Sequence, residues 1–384
     1  VDVVTSAAQA RVAAPPPGDP RYADYCSELA AGLTEDWTRV LAANAADCAE
    51  SGLTGELLDR LTLAQRHLDV LLKLAEDVRA ELPRVTGRVG NRIAKPLGVL
   101  LMIYEARPTV TIEGALLPVA VGNAVILRGG KEMAATNAEL GRIAAEAAAR
   151  AGLPDGIVQV VTDHDRRVVR ELLKRHDVID ALIPRGSPSL IDYCLSASTI
   201  PVIASGGGVN HLYVDASADV PLAVAIALDS KLPEPTACNT LEMVLAHEDI
   251  AAELVEAFEA ARDGWALKLD LDAHDYGREF LDRTIALHQV SSVDDAVAHI
   301  RRYGSGHTEG IVASDRAVVT RFLNTVDAAA LVVNGSLRLH DGPTMALGPE
   351  LSISTGRLHV RGPVGLSALL TYSWVIEGEG ALRG

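Results

Sequence analysis

Short runs that are apolar at successive positions, GVLLMIY, NAVILRG, GIVQVV and IDALIP, recur between residues 98 and 184, with helical stretches between them. A strand with one wet face alternates apolar and polar residues, so an unbroken apolar run describes a strand covered on both faces. Parallel strands need long crossover connections, and the helical pattern of residues 134–151, ended by Gly152 and Pro154, supplies one. The pattern therefore predicts an α/β fold with parallel-rich sheets. A second series begins near His211, where HLYVDAS, TLEMVLAH, TIALHQV, EGIVAS and AALVVNG read as strands. Helices are expected between them at residues 220–231, 250–262, 293–302 and 317–326. A chain of 384 residues exceeds what one core usually serves, so the two series are expected to form two domains.

Other segments refine this division. Between residues 20 and 82, leucines such as Leu57, Leu61, Leu68, Leu71 and Leu72 return every three to four positions, the stripe of packing helices. Residues 1–20 contain Pro15, Pro16 and Pro17 and lack the basic start and apolar core of a secretory signal. They are expected to be a loose leader without a helix. The glycines of ASGGGV, residues 204–209, suggest a hinge or a place where a ligand meets bare backbone.

Composition excludes several classes. Acidic residues outnumber lysine plus arginine 51 to 35, a formal charge of -16 that repels nucleic acid. No apolar run approaches the roughly 20 residues that cross a bilayer, so no membrane role is expected. The cysteines Cys26, Cys48, Cys194 and Cys238 show neither a C-x-x-C pair nor zinc spacing, which points to reduced thiols in a cytoplasm and to no metal site. Neither a G-x-G-x-x-G nor a Walker loop follows a strand.

Four constellations remain. Cys238 lies in LPEPTACNTLEM, beyond two prolines, where aligned backbone amides could make its thiol nucleophilic; the alternative is an inert small residue. Arg128 and Lys131 end a strand, where a nucleotide's ribose or phosphate would be held, unless they are solvated loop cations. IDALIPRGSPSL places Arg185, Gly186 and Ser187 at a helix start suited to an anion, or simply to a cap. The Gly/Pro-rich stretch after His340, with His359 and Arg361, is either a site loop or packing between domains.

In this order and spacing, IYEARPTVT, GNAVILRGGKE, IDALIPRGSPSL, STIPVI, TACNTLEMVL, VDDAVAHI and STGRLHVRGPVGL resemble the gamma-glutamyl phosphate reductase family of the aldehyde dehydrogenase superfamily. The resemblance implies an aldehyde-dehydrogenase-like fold: an NADP(H)-binding domain over residues 21–209, a catalytic domain over 210–366, and a small oligomerisation element from residues near 85–95 and the tail 367–384. It implies NADPH-dependent reduction of L-glutamyl 5-phosphate to glutamate 5-semialdehyde, the second step of proline synthesis from glutamate, through a thioester on Cys238. Asn239 and Thr109 join Cys238 as catalytic groups. Arg128, Lys131, Arg185, Gly186, Ser187 and Glu279 fall to the cofactor, and Arg107, His359 and Arg361 to the substrate. A homo-oligomer and a transient contact with glutamate 5-kinase are implied as partners.

IASGGG carries no carboxylate where aldehyde-oxidising relatives have a glutamate base, which suits hydride rather than water as the attacking group. The chain also departs from the reductase pattern. Thr109 stands where the family usually has asparagine, a weaker candidate donor to an oxyanion. His288 replaces a lysine, and Met345 and Pro349 replace phenylalanine and alanine. These changes leave two alternatives: a sister reductase of another aminoacyl phosphate or thioester, or a non-catalytic scaffold for an amino-acid kinase.

Overall fold

The computed structural model describes residues 2–204 and 207–383, which form two compact units. The first comprises residues up to 204 with 347–352 and the tail from 364; the second comprises the rest to 346 with 353–363. Segments 347–352 and 364–366, expected in the catalytic domain, thus cluster with the first unit. Ser205 and Gly206 of the expected hinge lie outside the described residues, as do Val1 and Gly384 at the chain ends.

The first unit is built on four parallel strands in the spatial order Val158–Val160, Ala124–Gly129, Val99–Tyr104, Ala181–Arg185. Val99–Tyr104 is buried at every position, as its unbroken apolar run requires. Helices Pro20–Glu50, Gln65–Val85, Thr109–Ala120 and Ala134–Arg150 pack in this unit. Its N-terminal end corrects one expectation: Val3–Ala13 is a helix rather than a loose leader, with Val4, Ala7 and Ala10 buried. The prolines begin two residues beyond that helix, so they end it rather than forbid it. The Asp2 carboxylate accepts from the Val4 N–H at its start.

Residues 85–95 and the tail do meet. Arg88–Val89, Arg92–Pro96 and Leu370–Trp374 make a three-stranded antiparallel sheet of the first unit, with Val89, Tyr372 and Trp374 exposed.

Six parallel strands form the second unit, in the order Ala330–Val333, Thr308–Val312, His211–Val214, Met243–His247, Thr284–Val290, Ala266–Lys268. Alternation along them feeds two cores. Leu212, Val244 and Ile285 meet Leu254 and Phe258 on one face. Tyr213, Met243, Leu245 and Ile311 meet Ile300 and Phe322 on the other. The helices observed, Val220–Lys231, Ala251–Ala260, Val293–Tyr303 and Arg316–Thr325, fall where the apolar spacing placed them.

Candidate active site

In the first unit, a cleft of about 720 Å³ lies over the carboxyl ends of the four strands. Arg128, Lys131, Arg166 and Arg170 line it, together with the acids Glu105 and Glu132. Arg128 is half-buried; its Nη2 donates to the His164 carbonyl at 3.1 Å, and its Nε is buried without a partner. Burial holds its pKa below the ordinary arginine value. A cleft lined by four cations over the carboxyl ends of a parallel sheet is suited to an anionic ligand.

The helix start expected to take an anion is already occupied. The Ser187 N–H donates to Glu105 Oε2 at 2.9 Å, and a Cβ on Gly186 would come within 2.5 Å of the same oxygen. Gly186 and Ser187 therefore anchor Glu105 at the cleft's edge, and Ser189 and Tyr193, in the first and second turns of the helix Pro188–Ala197, line the cleft instead. Arg185 ends its strand opposite Tyr104 and is not among the lining residues. Thr109 opens the helix Thr109–Ala120 behind a sharp turn through Arg107, in which Ala106 takes a left-handed φ of 36° and its N–H donates to Glu132 Oε1 at 2.8 Å.

Cys238 is in the second unit, exposed, on the turn between the helix Val220–Lys231 and the strand Met243–His247. The base of its loop is closed by the buried pair Lys231 Nζ and Glu242 Oε2, 2.9 Å apart, and by Thr240 Oγ1 donating to the Ser230 carbonyl at 2.9 Å. Burial raises the Glu242 carboxyl to about 8, against the pull of the Lys231 ammonium. Asn239, expected among the catalytic groups, is 6% exposed and its amide donates to the His340 carbonyl at 3.1 Å. That commitment makes it an anchor of the loop rather than an open donor.

Behind Cys238 is a buried polar layer that sequence reasoning missed. Asn210 Nδ2 donates to the carbonyls of Gly208, Cys238 and Thr240 at 3.0, 2.9 and 2.6 Å, and its Oδ1 accepts from the Thr308 N–H at 3.1 Å. Thr308 Oγ1 lies 2.7 Å from His307 Nδ1 and 2.8 Å from His340 Nδ1. Burial pushes both imidazoles down to about 4, so they are neutral at physiological pH. The Glu279 carboxylate accepts from the Gly208 N–H at 2.7 Å. These residues gather at the amino ends of the parallel strands, whereas the search rule for α/β sheets looks to the carboxyl ends.

The two remaining expected residues sit on a surface loop of the same unit. His359 has a left-handed φ of 67° and is exposed. The Arg361 guanidinium donates to Asp327 Oδ1 at 2.6 Å, and Arg357 pairs with the same carboxylate, so any substrate anion there competes with Asp327. Cationic neighbours hold the Asp327 carboxyl below its ordinary value. The expected residues thus fall into two sets: Arg107, Thr109, Arg128, Lys131, Arg185, Gly186 and Ser187 in the first unit, and Cys238, Asn239, Glu279, His359 and Arg361 in the second. Arg166 and Arg170 were legible in principle, since DRRVVREL follows the strand run GIVQVV after a three-residue turn, TDH; Asn210 carried no local signal.

Among the described residues no helix is long and apolar enough to cross a membrane. The profile of the aldehyde dehydrogenase family matches residues 34–277. A gamma-glutamyl phosphate reductase from Dehalococcoides mccartyi is 42% identical over 389 residues, 93% of this chain and 92% of the relative. One from Clavibacter michiganensis is 40% identical, covering 93% and 89%. The crystal structure of gamma-glutamyl phosphate reductase from Thermotoga maritima superposes with a TM-score of 0.93 at 31% identity, over 100% of this chain and 99% of that one. By sequence over nearly its whole length and by fold, this chain belongs to the gamma-glutamyl phosphate reductase family of the aldehyde dehydrogenases.

Proposed function

We propose that the protein reduces L-glutamyl 5-phosphate to L-glutamate 5-semialdehyde and phosphate with NADPH, using Cys238 as nucleophile. The observation that carries this reading is the exposed Cys238 on a loop fixed by the buried Lys231–Glu242 pair and a buried amide, in a chain of this family. The Cys238 sulfur, as thiolate, adds to the acyl carbon. The carbon–oxygen bond to phosphate breaks, phosphate leaves with that electron pair, and a thioester remains on Sγ. When bound, the nicotinamide cofactor supplies the hydride that takes the thioester to the aldehyde level. Return of an electron pair to Sγ then frees the semialdehyde. IASGGG itself carries no carboxylate to activate water against the thioester.

The cleft residues fit a dinucleotide phosphate. Arg128, with a buried Nε lacking a partner, and Lys131, Arg166 and Arg170 offer the charge that pyrophosphate and a 2′-phosphate require. Glu279, anchored by Oε1 to Gly208, has its second oxygen for a ribose hydroxyl. Thr109 donates its hydroxyl to the developing oxyanion, and Arg107, His359 and Arg361 serve the substrate's charged groups. The exposed apolar residues of the antiparallel sheet, Val89, Tyr372 and Trp374, suit a homo-oligomer contact. A cytoplasmic location, and a transient contact with the kinase that makes the labile acyl phosphate, complete the reading.

The test runs the reaction backwards: pyrroline-5-carboxylate in equilibrium with the semialdehyde, phosphate and NADP, followed by absorbance of NADPH. Phosphate-dependent reduction that disappears in Cys238→Ser is the expected result. No reduction by a folded protein that binds NADPH overturns glutamyl phosphate as the substrate, and full activity of Cys238→Ser overturns the nucleophile.

A further inference from the structure

We infer that Asn210 is a positioning residue for the reaction: its side-chain amide sets the orientation of the Cys238 peptide and thereby aims the nucleophile. The inference rests on the reading of Cys238 as the nucleophile.

Asn210 is fully buried, at the amino end of the strand His211–Val214. Packing alone does not call for an amide at this position. A buried amide without partners is costly, and this one is engaged at all its polar atoms. Three carbonyls, those of Gly208, Cys238 and Thr240, converge on Nδ2 within 3.0 Å. An amide has only two N–H groups, so the three acceptors share them. Oδ1 takes the Thr308 N–H, which ties the clamp to the start of the neighbouring strand Thr308–Val312.

The consequence for Cys238 follows from peptide geometry. In a trans peptide the C=O and N–H point to opposite sides. Holding the Cys238 carbonyl inward therefore turns the Asn239 N–H the other way and sets the plane from which the Cys238 side chain departs. Gly208 closes the arrangement from below, because its Cα lies so near the Cys238 carbonyl that a Cβ would come within 2.2 Å of that oxygen. Carbonyls of residues 238 and 240 pointing at one donor would repel each other without it. Removing the Asn210 amide thus frees the peptide to rotate and the thiol to lose its aim, while the thiol itself stays chemically intact.

The experiment compares the wild type with Asn210→Asp, Asn210→Ser and Cys238→Ser as full chains. Its readouts are kcat and KM in the phosphate-dependent assay, the rate of Cys238 alkylation by iodoacetamide, and NADPH binding by fluorescence titration. The expected result is unchanged KM and NADPH affinity, with kcat and alkylation both lowered on the order of 100-fold in Asn210→Asp at neutral pH. Asn210→Asp is further expected to regain activity as pH falls, because the protonated acid can donate to one carbonyl; the wild type has no such gain. Asn210→Ser, which keeps one donor, is expected to fall between the two and serves if the aspartate does not fold. Wild-type kcat and alkylation in a variant with a lowered Tm would overturn the inference and leave Asn210 a structural residue. An active Cys238→Ser would instead overturn the nucleophile on which it rests.

Discussion

Gly208→Ala perturbs the site by a single methyl group. Gly208 does not adopt a left-handed φ, so alanine meets no conformational penalty there, and the whole effect comes from contact. The new Cβ would lie 2.2 Å from the Cys238 oxygen, 2.8 Å from its carbonyl carbon and 3.0 Å from its Cα. All three are backbone atoms of Cys238, with no flexible side chain to swing aside. The Cys238 peptide must retreat by about 1 Å, and a misplacement of that size lowers rates on the order of 100-fold, ~2.7 kcal/mol in the barrier. Overpacking costs a further ~1–3 kcal/mol of stability. The Gly208 N–H that donates to Glu279 is kept, so NADPH affinity should change little. The assay is kcat and KM for phosphate-dependent NADP reduction, beside urea unfolding. A variant with wild-type kcat and a wild-type rate of Cys238 alkylation would refute the claim that this contact holds the nucleophile.

Three further outcomes are expected. Under native conditions iodoacetamide should label Cys238 ahead of Cys26 and Cys194, whose thiols are buried and raised to about 12 and about 11, and mass spectrometry of the tryptic peptides reads the order. Comparable labelling of Cys26 would contradict the burial described. His307 has a folded pKa depressed from 6.5 to about 4, so its contribution to stability is present above pH 6.5 and is lost as pH falls through about 4. Relative to His307→Asn, the wild type should lose up to ~1.4 kcal/mol per pH unit in that window, measured by urea unfolding at pH 7, 6 and 5; parallel profiles would show that this histidine does not titrate as described. Replacing Lys131 and Arg170 together by glutamine should raise the Kd for NADPH by ~100-fold or more, each charged hydrogen bond contributing ~1.5–3 kcal/mol, with a smaller change for NADH. Equal weakening of both cofactors would place these cations away from the 2′-phosphate.

The strands and helices of both units were legible because their signal is local. HLYV, MVLAH and TIALHQV are apolar on both faces, and a sheet packed on both sides is the arrangement that buries them. The N-terminal helix is not legible in the same way, because Pro15, Pro16 and Pro17 weigh against a helix in residues 1–20 although they stand beyond the one that Asp2 caps. Arg128 and Lys131 are singled out by the rule that ligands bind at carboxyl ends of strands, and the same rule applied after GIVQVV leads to Arg166 and Arg170, which line the same cleft. Ser187 was read as an anion site because nothing in its own segment shows that Glu105, 82 residues earlier, already holds its amide.

By itself the sequence determined the α/β class, the two series of strands and a cysteine, Cys238, in a loop beyond two prolines, all carried by residues within a few positions of one another. Only the tertiary structure decided what surrounds that cysteine. The Asn210 amide reaches the Cys238 carbonyl across 28 residues and the Thr308 N–H across 98. Hydrogen bonds between segments so distant arise when parallel strands align their amino ends, and no spacing along the chain records which ends will meet.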